Sequence, residues 1–142
     1  PGNSESYEEL AAACEGWSAA TVLHGSGTEL DGIKFWGVGG AIPITPFGSW
    51  SYDFSEDDGR RLLADCPARA ILVSHSPPKG VLDKSSRGQS LGSEAVLEAV
   101  EKSQPLLVVC GHIHDSSGQC ELLGSTTAVN AGPRGILRDV FR

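Results

Sequence analysis

The residues able to do chemistry are few and unevenly spaced. In Leu107-Val-Val-Cys-Gly-His-Ile-His-Asp115 an aliphatic run ends in a glycine and two histidines one residue apart. Side chains at i and i+2 of an extended segment point the same way, so His112 and His114 are placed to face one point past a strand end. His75 follows a second apolar run, residues 70–74, Asn130 closes a third, and Asn3 lies in a Pro-Gly-Asn turn. Imidazole nitrogen is a borderline ligand for Zn, Fe, Mn or Co, and an amide oxygen suits harder ions. A mixed set therefore points to a divalent cation acting as a Lewis acid. Gly2 and Gly111 would let the backbone turn sharply at the ligands, and Pro77-Pro78 would stiffen the chain behind His75. His24, near the end of its own short run, reads as structural.

The elements that must position these groups alternate between helix formers and β-branched runs, the pattern of an α/β protein. Helices are expected from residue 7 to about 14, from Ser55 to about Asp65, and from Ser93 to Ser103, each opened by a serine cap. Strands are expected at 21–24, 28–30 and 33–38, the last two joined by an Asp31-Gly32 hairpin turn, and at 70–74, 106–110, 119–123, 126–130 and 136–141. Strands 70–74 and 106–110 have no polar face, which predicts burial on both sides. Two long loops, 39–54 and 76–92, lie between these elements and would line a cleft. Ligands in open α/β sheets gather outside the carboxyl ends of strands, so His75, His112, His114, Asn130 and Asn3 could meet there.

At 142 residues the chain is one domain's worth, residues 1–142. A net charge of −7 argues against a broad nucleic-acid surface, although a metal site could still attract a phosphate. No run has the length of a membrane span. Four scattered cysteines form no C-x-x-C pair or dense framework, and the first residues are polar and acidic where a signal peptide needs a basic and then apolar stretch. The expectation is a cytoplasmic protein. The chain begins at Pro1 and has no methionine, so it is read as an incomplete gene product.

Taken in order, Pro1-Gly-Asn-Ser-Glu5 before a helix, "SHSPPKG" and "CGHIH" after successive strands, and "VNAGPRG" after another resemble the calcineurin-like metallophosphoesterase superfamily. Its signatures run GN-H-[DE], GH and GHxH. The loop "SHSPPKGVLDKSSRGQSLGS" and the span "QPLLVVCGHIHDSSG…STTAVNAGP" look most like the metallophosphoesterase-domain-containing branch. The resemblance implies a layered α-β-β-α sandwich of mixed sheets, of which this chain is the C-terminal portion. It implies two divalent ions (Mn, Fe, Zn or Mg), with Asn3, His75 and His112 matching ligands of one and His114 a ligand of the other. It also implies hydrolysis of a small phosphate ester, as a phosphodiesterase, by metal-bound hydroxide.

Two features depart from that pattern. The D-x-H and GD segment carrying the bridging aspartate is not in this sequence, so a missing N-terminal segment or a companion chain is expected to supply it. Ser4 stands where the family has its catalytic histidine, and a serine hydroxyl is a much poorer acid than imidazolium near neutral pH. Trp50, Tyr52, Lys79 and Arg87 on the two long loops are candidate substrate contacts. The rival reading is a phosphoesterase fold kept as a scaffold or interaction module after loss of catalytic residues. A structural zinc site is disfavoured because no cysteine sits at ligand spacing.

Overall fold

The computed structural model describes residues 1–139. Asp31 and Gly32 both take left-handed backbone (φ 51° and 76°), and this turn folds β1 (Ser26–Leu30) against β2 (Ile33–Val38) as an antiparallel hairpin. Each helix starts at a serine cap. Ser6 and Glu9 form a reciprocal capping box at α1 (Tyr7–Ala13), and Ser55 and Asp58 form another at α2 (Glu56–Leu63). Ser93 caps α3 (Glu94–Ser103), which ends at Gln104 in left-handed backbone (φ 46°) just ahead of Pro105. The remaining strands are β3 (Ile71–Ser74), β4 (Leu107–Cys110), β5 (Cys120–Leu123) and β6 (Thr126–Asn130).

The six strands form one mixed sheet in the order β1-β2-β3-β4-β6-β5. Strands β2, β3, β4 and β6 run parallel, and β1 and β5 pair antiparallel at the two edges. Register sets Val38 beside Ser74, Val73 beside Val109 and Cys110 beside Asn130, so four carboxyl ends lie nearly level. That is where a ligand site is expected in a sheet of this kind.

Helices α2 and α3 cover one face, where Ile42, Leu63, Leu72, Val96, Val100, Val108 and Ala128 form the main core. The carboxylate of Glu56 in α2 accepts from the N–H groups of Glu94 and Ala95 and from the Ser93 hydroxyl, tying α2 to the positive end of α3. The other face carries Ile71, Leu107 and Val129 with Ile33, Phe35 and Val109. It is only partly covered: an open groove of about 790 Å³ runs between residues such as Leu10, Leu23, Phe35 and Val73. The expected burial of strand 70–74 on both sides holds at Ile71 and Leu72 and fails at Val73, which is 41% exposed at the groove. Of an α-β-β-α sandwich, the described residues supply one sheet and one helical face.

Two expected strands are absent among the described residues. Residues 21–24 form no ladder; they cross the apolar face instead, where Leu23 packs so closely on Gly37 that a Cβ there would stand 2.3 Å from its own. Residues 136–139 carry no strand, and Leu137 is 98% exposed; β-propensity without a pairing partner does not hold a strand. Residues 140 and 141 of that expectation lie outside the described residues. No helix among the described residues is long and apolar enough to cross a membrane.

Candidate metal centre

Past the ends of β3 and β4 three donor atoms converge. His75 Nε2 lies 3.0 Å from Asn3 Oδ1 and 3.1 Å from His112 Nδ1. A neutral imidazole carries one proton, so Nε2 can donate to one of these acceptors at a time. Two donors at right angles about a cation with bonds of about 2.1 Å stand about 3.0 Å apart, and the two distances seen here match that spacing. The donor set therefore fits a divalent ion of borderline character.

Local structure holds each donor. The His75 N–H donates to Val38 C=O (3.0 Å) and its carbonyl accepts from Gly111 N–H (3.1 Å), which pins the ends of β2, β3 and β4 together. Behind it, Pro77 and Pro78 are buried and stitched to the start of α3 by Ser93 N–H to Pro77 C=O and Lys79 N–H to Ser93 C=O, both 2.9 Å. The sharp turn expected at Gly111 falls on His112 itself, at φ 61°, inside a three-residue turn closed by Ile113 N–H to Gly111 C=O. A left-handed histidine costs about 1–3 kcal/mol, a strain typical of functional sites. Asn3 is anchored by Tyr52 N–H to its carbonyl (2.9 Å) and by its side-chain Nδ2–H to Ser51 Oγ (2.9 Å). Near the start of the chain, Gly39 packs against Pro1 so closely that a Cβ would stand 2.4 Å from Pro1 Cδ.

Burial sets the electrostatics. Desolvation, helped by the neighbouring His112, lowers the His75 pKa to about 4, and desolvation also lowers that of His112 against the opposing pull of Asp53. Both rings are thus neutral near pH 7, the form in which imidazole is a ligand. Burial works to raise the Asp53 carboxyl, but hydrogen bonds from Ser51 and Thr45 outweigh it and hold the group below its ordinary value.

The other expected residues do not enter this convergence. His114 is exposed and opens a short 3-10 turn, His114–Ser116. Asn130 is buried and supports the His112 loop, its Nδ2–H donating to Ile113 C=O at 2.9 Å. Ser4 is exposed in the bend before α1. Trp50 is 67% exposed and stacked on Phe47, whereas Tyr52 packs with His24 and Phe54. Lys79 donates to Ser90 C=O (3.0 Å), and Arg87 is exposed. His24 Nδ1 accepts from Gly39 N–H, its ring packs with Tyr7, Tyr52 and Phe54, and desolvation lowers its pKa. Among the described residues no group of three or more His, Cys, Asp or Glu side chains is arranged to hold a metal; the convergence is two histidines and an amide. Sequence reasoning missed Ser51 and Asp53, which stand behind Asn3 without any periodic signal.

An α/β sheet with neutral nitrogen and oxygen donors gathered past its parallel strand ends defines a protein with a candidate metal centre at the sheet's carboxyl edge. The family model described as metallophosphoesterase, calcineurin superfamily, matches residues 7–135, and the chain belongs to that family. The chain is 32% identical over 139 residues to metallophosphoesterase domain-containing protein 1 of Homo sapiens, an alignment covering 92% of this chain and 38% of that protein. It is 30% identical over 116 residues to UPF0046 protein K07C11.7 of Caenorhabditis elegans, covering 78% and 37%. The chain thus spans well under half the length of these relatives. Among solved structures, the crystal structure of TT1561 of Thermus thermophilus superposes with a TM-score of 0.67 at 22% identity, covering 93% of this chain and 60% of that one. Another crystal structure superposes with a TM-score of 0.74 at 21% identity, covering 93% and 55%. At such identities these likenesses show the fold.

Proposed function

We propose that this chain forms part of a metal-dependent phosphodiesterase. In this reading Asn3, His75 and His112 hold one divalent cation, and His114 reaches a second whose remaining ligands come from polypeptide outside these residues. The observation that carries it is the convergence of Asn3 Oδ1, His75 Nε2 and His112 Nδ1 at 3.0 and 3.1 Å. Bound divalent ions supply positive charge for phosphate oxygens and acidify water, the chemistry that phosphate ester hydrolysis needs at neutral pH. The chain's own residues prepare for that. His75 and His112, neutral through burial, offer lone pairs where an exposed imidazole begins to protonate. Trp50 and Tyr52 on one loop and Lys79 and Arg87 on the other are proposed to contact a small phosphate ester. Ser4 is a poor proton donor, so substrates with good leaving groups are favoured.

One observation favours a second reading. Ser4 stands at the position that matches the family's histidine, as a scaffold that has lost catalysis would show. Calorimetric titration with Mn²⁺ and hydrolysis of bis(4-nitrophenyl) phosphate, on the protein with its companion segment, separate the two. The enzyme reading expects both binding and turnover, each reduced at least tenfold by His75→Ala or His112→Ala. Binding without turnover, unchanged by Ser4→His, supports the scaffold. The absence of both binding and turnover refutes the metal-dependent reading.

A further inference from the structure

We propose that Asp53, acting through Ser51, is a positioning residue that fixes which end of the Asn3 side-chain amide faces the metal donor site. The inference rests on the metal reading above and adds a role for two residues in the loop 39–54.

The argument is one of proton direction. The Ser51 hydroxyl has one proton and lies 2.6 Å from Asp53 Oδ1, an ionised oxygen with nothing to donate. The other carboxylate oxygen, Oδ2, is already taken by Thr45, whose N–H donates at 2.7 Å and whose hydroxyl donates at 2.5 Å. The carboxylate therefore draws the Ser51 proton toward itself and leaves serine lone pairs facing Asn3. Only the NH₂ end of an amide can meet a lone pair, and Asn3 Nδ2 does so at 2.9 Å. Oδ1 is thereby turned to His75 Nε2 at 3.0 Å. Reversing the amide would press its oxygen against the serine oxygen and aim two N–H groups at a cation.

The backbone makes this lever rigid. Ala41 N–H donates to Tyr52 C=O (2.9 Å), Phe54 N–H to Ala41 C=O (2.8 Å), and Tyr52 N–H to Asn3 C=O (2.9 Å). Residues 52–54 thus lie as an extended strip between Ala41 and Asn3, with a bridge pairing Ala41 and Asp53. Neither Asn3 nor Ser51 can slide away from the other without breaking that strip.

Replacing the carboxylate by an amide reverses the logic. In Asp53→Asn the new NH₂ donates to Ser51, the Ser51 proton turns to Asn3, and Asn3 is invited to present its oxygen to serine instead of the cation. Ser51→Ala removes the lever, Ser51→Thr keeps it, and Thr45→Val weakens the anchor of Asp53 without changing the proton direction. Mn²⁺ affinity is measured by calorimetry beside the melting temperature of each metal-free variant. The expected result is at least a tenfold loss of affinity in Asp53→Asn and Ser51→Ala with little change in melting, and near-full affinity in Ser51→Thr. Thr45→Val should do the converse, lowering the melting temperature while sparing affinity. If Asp53→Asn fails to fold, the Ser51 pair carries the decision. Wild-type affinity in Ser51→Ala, with Asn3→Ala and His75→Ala both weakened, overturns the inference and leaves the metal reading standing. Unweakened binding in Asn3→Ala and His75→Ala overturns both.

Discussion

Gly39 offers a sharp test of how Asn3 is held in place. It follows β2 directly, and its φ is not in the left-handed region, so alanine can adopt its backbone without strain. The constraint is space. A Cβ at this position would lie 2.4 Å from Pro1 Cδ and 2.5 Å from both Pro1 Cγ and the Pro1 carbonyl oxygen. Carbon atoms in ordinary contact stand about 3.5–4.0 Å apart, so Gly39→Ala must push residue 1 away by about 1 Å. Overpacking of this kind costs about 1–3 kcal/mol. With an unfolding entropy of about 2.1 cal/mol/K per residue, a chain of this length should lose roughly 3–10 °C in melting temperature. The effect on the site is larger. Asn3 lies two residues on, and metal bonds tolerate about 0.2 Å, so a displacement of about 1 Å should cost the Asn3 ligand and at least tenfold in Mn²⁺ affinity. Gly2→Ala is the control, because its Cβ meets His75 Cε1 and Glu5 Oε1 at 3.4 Å, close to ordinary contact. Calorimetry and thermal melting on the same samples decide the matter. If Gly39→Ala binds Mn²⁺ as the unmodified protein does while Asn3→Ala does not, the packing of Pro1 on Gly39 has no part in positioning the amide.

Asp83 is fully buried, and its Oδ2 accepts from the N–H groups of Gly80 and Gly92 at 2.9 Å each and from the Ser90 hydroxyl. Asp83→Ala should cost about 2–5 kcal/mol in urea unfolding, because two loop amides lose their acceptor; an unchanged midpoint would mean that water replaces it. Burial pushes the Cys110 thiol up to about 12, whereas Cys120 is exposed. Iodoacetamide at pH 8 should therefore label Cys120 and spare Cys110 until the protein unfolds, and mass mapping of equal labelling would contradict the burial. Burial also lowers the pKa of His24, His112 and His75, the last to about 4, so the unfolded chain binds protons that these positions refuse. Stability of the metal-free protein should hold above about pH 6.5 and decline as pH falls toward 4; a flat profile across that window would refute the assignment.

Local signals made much of this molecule legible in advance. Asp31-Gly32 specified the hairpin, and Ser6, Ser55 and Ser93 specified helix starts, because turn and cap chemistry depends on residues a few positions apart. The placement of His75 and His112 past adjacent strand ends followed from the parallel register of β3 and β4. Residues 21–24 misled because β-branched character records a liking for a flat apolar surface, which these residues satisfy by lying across the sheet instead of joining it. Glycine was credited with the turn at residue 111, but the left-handed residue is His112, held there by the bond around it. Ser51 and Asp53 could not be read at all, since their partner, Asn3, lies 48 residues before Ser51 in a segment with no periodicity of its own.

The distances along the chain between the three donors have a kinetic meaning. His75 is separated from Asn3 by 72 residues and from His112 by 37. No early local structure can bring them together; each loop must close, and β3 and β4 must already lie side by side, before the third atom arrives. A cation held by these donors would meet them only on chains that have assembled their sheet, and its binding would withdraw those chains from the unfolding equilibrium by mass action, a late checkpoint on correct folding.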